Sequence, residues 1–229
     1  MTLMLAPFTP GATAFGLAHV LAGALVLVSL MMLYQDRLPA LVNVLALHAA
    51  LLGVAVGWQA WLQRAPELYI TAAIAIGFKA VAIPLALHRI IERLDIHREV
   101  ETVGGISLTM LAGIGLVALS LLVMLRTAAQ ANALAREDLA LALSVILIGM
   151  LMMVTRRNAV SQIAGFMMLE NGLILAAAGA QGMPLVVEIS VAFSILIAFI
   201  VIGVFLFRIR ERFDTVDSAA LDAFRGELR

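Results

Sequence analysis

The sequence predicts an all-α polytopic membrane protein with about seven membrane-spanning helices. Hydrophobic residues make up 63% of its 229 residues and charged residues only 13%, and the mean hydropathy is +1.07. Soluble domains contain about 45–50% apolar and about 25% charged residues, so this composition is typical of a chain that lies in lipid. Because the segments between the apolar runs are all short, we expect a single membrane domain over residues 1–229.

Seven apolar runs are found when the sequence is divided at its charges, prolines and glycines. Most hold about twenty residues, the number that an α-helix with ~1.5 Å rise per residue needs to cross a ~30 Å hydrocarbon core. The first run has no basic segment before it and no obvious cleavage site, so we expect a retained span. The fifth run is the shortest. In chain order the predicted spans are 11–33, 39–62, 67–87, 104–125, 138–154, 158–179 and 184–207.

The arginines predict how the spans are oriented. Eleven lie after spans one, three and five or in the C-terminal tail, and three lie on the other side. Because basic residues are enriched in cytoplasmic segments, the N-terminus is expected outside and the C-terminus in the cytoplasm. The eleven are Arg37, Arg89, Arg93, Arg98, Arg156, Arg157, Arg208, Arg210, Arg212, Arg225 and Arg229, and the three are Arg64, Arg126 and Arg136.

One lysine and two glutamates lie within predicted spans, away from the first and last residues of those spans. Lys79, the single lysine of the chain, lies in span three, Glu170 in span six and Glu188 in span seven. Ionisable groups at membrane depth are costly and usually mark an ion or proton path. Because a buried lysine, unlike an arginine, can release its proton, we predict that these three residues belong to a proton path.

Lys79 and Glu170 are expected at similar depths. Glu170 lies twelve residues after Asn158 and Lys79 lies ten residues before Arg89, which is about 18 Å and about 15 Å of helix from the predicted cytoplasmic side. We hypothesise that they form an ion pair if spans three and six are neighbours, since pairing reduces the cost of both charges.

Four further residues are predicted to support this path. Pro84 either kinks span three, leaving the carbonyl of Ala80 without its helical donor, or only shapes the end of the helix. His48 lies in span two, where an interhelical hydrogen bond or a place in a proton wire explains it. Gln162 and Asn171 lie on one broad side of span six and are expected to hydrogen-bond to neighbouring helices.

The sequence predicts no cofactor-binding site in this chain. It has no cysteine, and its four histidines lack the spacing of metal ligands, so no iron-sulfur cluster, zinc site or c-type haem is expected. No phosphate-binding glycine loop or hydrolase motif is found, and no nucleic-acid partner is expected.

A series of short motifs follows the fifth predicted span. These are an Arg-Asn pair at 157–158, a Gln-Ile-Ala-Gly segment at 162–165, a Glu-Asn-Gly segment at 170–172 and a Val-Glu-Ile segment at 187–189. In the order of these motifs, and in its length and hydropathy, the chain resembles component E of the hydrogenase-4 type membrane-bound hydrogenases.

Residues 156–210 are also similar to subunit K of bacterial respiratory complex I. Two positions differ from that pattern. Glu170 lies about one helical turn later, and Glu188 lies four residues after Pro184, about 6 Å from the end of its span. The middle of span seven holds Ser194 instead.

The resemblance implies a non-catalytic membrane subunit of a hydrogenase-type oxidoreductase in the bacterial cytoplasmic (inner) membrane. It implies antiporter-like and quinone-pocket-like membrane subunits as partners, and hydrogenase and iron-sulfur subunits that hold a nickel-iron centre and iron-sulfur clusters. This chain is then expected to link the membrane subunits and to contribute Lys79, Glu170 and Glu188 to the translocation of protons or sodium.

Two alternatives remain open from the residues. The chain is a purely structural membrane scaffold with a buried ion pair, or it is a free-standing small transporter. Against the transporter, the sequence has no evident internal repeat or paired broken helices of the kind that build a substrate site at the midplane.

Overall fold

The computed structural model is helical and describes residues 12–93, 104–127 and 133–179, together with 192, 193, 195–197, 200 and 203. Seven α-helices and one π-helical segment are named in this part of the chain. In order they are α1 (Ala12–Tyr34), α2 (Leu38–Gln63), α3 (Pro66–Ile74), the π-helical segment (Ala75–Ala82), α4 (Ile83–Arg93), α5 (Ile106–Thr127), α6 (Ala133–Thr155) and α7 (Ala159–Gly179).

The described residues form six helices that are long and apolar enough to span a membrane, and this confirms the predicted all-α polytopic fold. The third span, Pro66–Glu92, joins α3, the π-helical segment and α4. The bounds of spans one, two, four and six agree with the prediction to within two residues. The described residues of the predicted seventh span are also helical.

The membrane-spanning part of α6 is Glu137–Thr155, which agrees with predicted span five to within one residue, although the helix itself begins earlier, at Ala133. The predicted end of span three is wrong. Span three extends to Glu92 rather than ending at residue 87. Polar residues can occupy the ends of a membrane helix beyond the hydrocarbon core. Ending a predicted helix at its first charged residue therefore makes the predicted helix too short.

α2 lies in the interior of the bundle. It packs against α1, α7 and all three parts of the third span, and the side chains of Leu41, Leu45, Leu52 and Val56 are fully buried. α6 packs against α1, α5 and α7, whereas α5 lies at the edge with most of its apolar side chains exposed. Polar groups on α2 and on the helix faces turned toward it are therefore kept away from lipid.

α6 and α7 approach each other closely along a seam of three glycines, Gly149, Gly165 and Gly172. A Cβ added at Gly149 would lie 2.6 Å from the backbone nitrogen of Leu169, and one at Gly172 would lie 2.9 Å from the backbone nitrogen of Ile146. Small residues are what allow two membrane helices to pack this closely. The seam fixes the position of the α7 segment that contains Glu170.

The third span changes its hydrogen-bonding pattern around Lys79. In the π-helical segment the N–H of Ile83 bonds to the carbonyl of Phe78, five residues earlier. The next residue is Pro84, which has no N–H with which to continue either pattern. Pro84 thus follows shortly after a π-helical segment, a form that often occurs at functional sites, and the expected kink at Pro84 stays a prediction.

Candidate functional site

The side chains of Lys79 and Glu170 meet between the third and sixth spans. The Lys79 Nζ lies 2.9 Å from the Glu170 Oε1, and both side chains are 0% exposed. Glu170 lies in the middle of α7, eleven residues after its first residue and nine before its last. The hypothesised ion pair is therefore formed, although the two residues are ninety-one positions apart in the sequence.

The π-helical segment and the glycine seam bring this pair together from two sides. Lys79 lies in the fifth position of the π-helical segment, and Glu170 lies between Gly165 and Gly172 on α7. α2 packs against both elements, so the pair is enclosed by protein. Burying two opposite charges together costs far less than burying either one alone.

The pair has two chemically distinct states. In one, an ammonium faces a carboxylate; in the other, the proton has moved from Nζ to the carboxylate and both groups are neutral. A separation of 2.9 Å is within the range for direct proton transfer between two heavy atoms. Among the described residues, the Lys79 Nζ and both carboxylate oxygens of Glu170 are buried without a hydrogen bond of standard geometry, so the 2.9 Å contact is an ion-pair contact and Oε2 remains available to accept a proton or a bridging group.

A buried hydrogen-bonded chain lies beside the pair and joins three spans. Asn171 on α7 places its Nδ2 2.9 Å from the His48 Nδ1 on α2, and the His48 Nε2 lies 3.0 Å from the Ser29 Oγ on α1. Ser29 donates in turn to the carbonyl of Leu25 at 2.8 Å. All three polar side chains are 0% exposed.

The direction of these hydrogen bonds assigns the proton on His48. Because the Asn171 amide donates to Nδ1 and the Ser29 hydroxyl already donates to Leu25, Nδ1 accepts and Nε2 donates to Ser29. With this orientation of the amide, His48 is a neutral imidazole with its proton on Nε2. The interhelical hydrogen bonds expected for His48 and Asn171 are therefore present, and the chain begins at the residue next to Glu170.

Two other predicted residues, Gln162 and Pro84, form hydrogen bonds that do not involve the pair. Gln162 is exposed near the start of α7, and its Nε2 donates to the carbonyl of Arg156 at 2.9 Å. The prediction that Gln162 bonds to a neighbouring span is wrong, because the turn before α7 offers a nearer acceptor. Pro84 is buried, and its carbonyl accepts from the His88 Nδ1 at 2.9 Å. Glu188 and Ser194 lie outside the described residues.

Arg156 is a buried residue that the sequence analysis assigned to a polar turn. It is 1% exposed, and its Nη2 donates to the carbonyl of Leu33 at 2.5 Å. This bond ties the turn between α6 and α7 to the last turn of α1, where helix carbonyls lack intrahelical donors. Burial lowers the pKa of the Arg156 guanidinium, and the charge of Asp36 acts in the opposite direction.

Sequence reasoning also missed Ser29. A serine in a membrane helix normally bonds the carbonyl four residues earlier, as Ser29 does, so nothing in the sequence marks it as a partner of His48. Among the described residues, no group of three histidine, cysteine or acidic side chains is arranged to hold a metal ion.

The fold and the site define a polytopic membrane protein whose interior holds a lysine–glutamate pair and an adjoining polar chain. The protein belongs to the same family as the uncharacterized protein Rv0085 of Mycobacterium tuberculosis (strain ATCC 25618 / H37Rv). The two are 34% identical over 218 residues, which cover 91% of this chain and 94% of the relative. No family model matches the chain, and no solved structure matches it.

Proposed function

We propose that this protein is a non-catalytic membrane subunit of a hydrogenase-4 or complex I-like oxidoreductase in the bacterial inner membrane. In this proposal the Lys79–Glu170 pair is part of a path through which redox energy moves protons or sodium ions. The observation that carries the proposal is the 2.9 Å contact between two fully buried, oppositely ionisable groups on different spans. The motifs around 157–172 support the choice of this class of complex.

The pair has the properties that a coupling element needs. The two charges stabilise each other when the side chains are in contact. A charge brought near either group by a neighbouring subunit changes which protonation state of the pair is favoured. At an effective dielectric constant of about 20, two unit charges 2.9 Å apart attract each other by about 6 kcal/mol. A change in the protonation of one group is therefore felt strongly by the other.

The chain formed by Asn171, His48 and Ser29 supports the pair in this proposal. It holds α1, α2 and α7 in one arrangement and places an imidazole, a group able to exchange protons at both ring nitrogens, in the interior. Asn171 is the neighbour of Glu170 in the sequence, so the chain restrains the backbone that carries the carboxylate.

The redox chemistry belongs to other subunits in this proposal. The nickel-iron centre and iron-sulfur clusters lie in hydrogenase and iron-sulfur subunits, and the ion path continues through antiporter-like and quinone-pocket-like membrane subunits. Glu188 is proposed as a further, shallower group of the path, on the sequence position alone.

Replacing Glu170 with Gln in the assembled complex tests the proposal. The amide keeps the size of the side chain but cannot carry a proton through the membrane as a carboxyl group does. We expect coupled proton uptake by inverted vesicles to be lost, whereas electron transfer to an artificial acceptor that reacts directly with the peripheral arm continues. All subunits should still co-purify.

Glu67→Gln is the matched control, because Glu67 is an exposed glutamate in the first turn of α3. We expect it to leave proton uptake unchanged. Normal proton uptake in an intact Glu170→Gln complex would contradict the proposed role of the pair.

A second candidate function is that of a structural scaffold. The direct contact between Lys79 and Glu170 favours this function as well. An ion pair that is 0% exposed on both sides also fixes the packing of two spans without moving protons. The double replacement Lys79→Met and Glu170→Met distinguishes the candidates. A scaffold should assemble and pump with this apolar pair, whereas an ion path should assemble and fail to pump.

A further inference from the structure

A second cluster of titratable side chains joins α1 to α6, away from the Lys79–Glu170 pair. The Nδ1 of His19 lies 3.0 Å from the Asp138 Oδ1, and its Nε2 lies 3.6 Å from the Glu137 Oε2. The histidine and the two carboxylates are 119 and 118 positions apart in the sequence. Each nitrogen of the imidazole therefore faces a different carboxylate.

The cluster lies toward one end of the membrane domain, and its side chains are partly exposed on the surface of the folded chain. The exposed fraction of the side chain is 37% for His19, 50% for Glu137 and 24% for Asp138. His19 is the eighth residue of α1, and Glu137 is the fifth residue of α6, so the cluster lies in the first three turns of both helices. The predicted orientation places this end outside the cytoplasm.

The other elements around α1 bring no further charge to His19. α2, α5 and α6 pack against α1, and among the described residues only Glu137 and Asp138 lie within ion-pair distance of the imidazole. Nδ1 lies within hydrogen-bond distance of the Asp138 Oδ1, whereas Nε2 lies at ion-pair distance from the Glu137 Oε2. The imidazole therefore has one direct and one longer contact with a carboxylate.

We propose that His19, Asp138 and Glu137 form a proton-exchange site at this end of the membrane domain. The inference deepens the proposed function and rests on it, since it names a place where protons of the same path meet the solvent. The imidazole takes up a proton at one ring nitrogen and releases one from the other. Asp138 receives or supplies the proton at Nδ1, and Glu137 exchanges the proton at Nε2 with water.

The site shares a helix with the buried polar chain. Ser29, which bonds to His48, lies ten residues after His19 on α1, about 15 Å along the helix axis. α1 thus carries a partly exposed titratable cluster at one level and a member of the interior hydrogen-bonded chain at another. A proton that leaves the interior toward this end has the cluster as its exchange point with water.

Chemical rescue distinguishes proton exchange from a structural tie between α1 and α6. We expect His19→Ala to slow coupled proton uptake in the assembled complex by about a hundredfold, the lower end of what a positioned proton-transfer group contributes. Imidazole added to the buffer should restore uptake, because it supplies the missing exchange group without restoring a bond between the helices.

Asp138→Asn provides a second variant. The asparagine oxygen still accepts a hydrogen bond from His19, so a structural tie persists, but the group no longer receives a proton. We expect proton uptake to fall in this variant with all subunits still assembled.

The outcomes separate this inference from the proposed function. Loss of uptake in Glu170→Gln with normal uptake in both His19→Ala and Asp138→Asn would overturn the exchange site alone. A loss in His19→Ala that imidazole does not restore, with normal uptake in Asp138→Asn, would assign the cluster to structure and also overturn it. Normal uptake in Glu170→Gln would overturn the proposed function itself.

Discussion

Replacing Gly149 with Ala should destabilise the protein by forcing α6 and α7 apart. The added Cβ would lie 2.6 Å from the backbone nitrogen of Leu169, 2.8 Å from the backbone oxygen of Gly165 and 3.0 Å from the Leu169 Cα. The shortest of these distances is 0.8 Å below the 3.4 Å at which ordinary contact begins. All three atoms belong to the backbone, so no side chain can rotate away and α7 itself must shift.

The expected size of the effect follows from two opposing contributions. Overpacking of this kind costs about 1–3 kcal/mol, and the upper part of that range applies because the contacts are with backbone. Alanine in place of glycine within a helix gains about 1 kcal/mol or less. We therefore expect Gly149→Ala to lower the free energy of unfolding by about 1–2 kcal/mol.

Gly115→Ala on α5 is the matched control. A Cβ at Gly115 meets nothing within 4 Å, so only the helix-propensity gain remains and stability should rise slightly. The measurement is reversible unfolding of the full chain in detergent, followed by helical circular dichroism. Because the shift also displaces the α7 segment that holds Glu170, coupled proton uptake should fall in Gly149→Ala. Equal stability of the two variants would refute the close packing of α6 against α7.

Two further variants probe the pair and its support in the same unfolding assay. Lys79→Met and Glu170→Met should each cost about 3–5 kcal/mol, because each leaves an uncompensated buried charge, whereas the double variant should be close to the native protein; additive losses would contradict a coupled pair. Pro84→Ala restores an N–H and should favour an ordinary α-helix over the π-helical segment, and one residue of register turns Lys79 by about 100°. The coupling energy between Lys79 and Glu170 should then fall toward zero, and an unchanged coupling would show that Pro84 does not position Lys79.

The span pattern and the two central charges were accessible from the sequence for one physical reason. Lipid makes exposed polar backbone and charge costly, so chain composition alone marks which segments cross and which residues need a partner. Lys79 and Glu170 were singled out because each interrupts an apolar run. The same reasoning placed them at similar depths, since rise per residue along a helix is nearly constant.

Other features required the tertiary structure, because hydropathy reports depth along the membrane normal but not which helices are neighbours or which faces meet. The contact of Lys79 with Glu170 depends on α2 and on the glycine seam. Ser29 and His48 meet across α1 and α2, and each is explained locally when only its own helix is considered.

The contacts of charged residues at the ends of helices also could not be predicted from the sequence. The sequence treats Arg156 as a solvated residue of a basic turn, because charges near span ends are usually exposed. In the folded protein α1 ends beside that turn, and its Leu33 carbonyl holds the buried guanidinium. His19 and Asp138 likewise become partners only when α1 packs against α6. Composition along one chain determined where the helices cross, and packing between distant helices decided which polar groups act together.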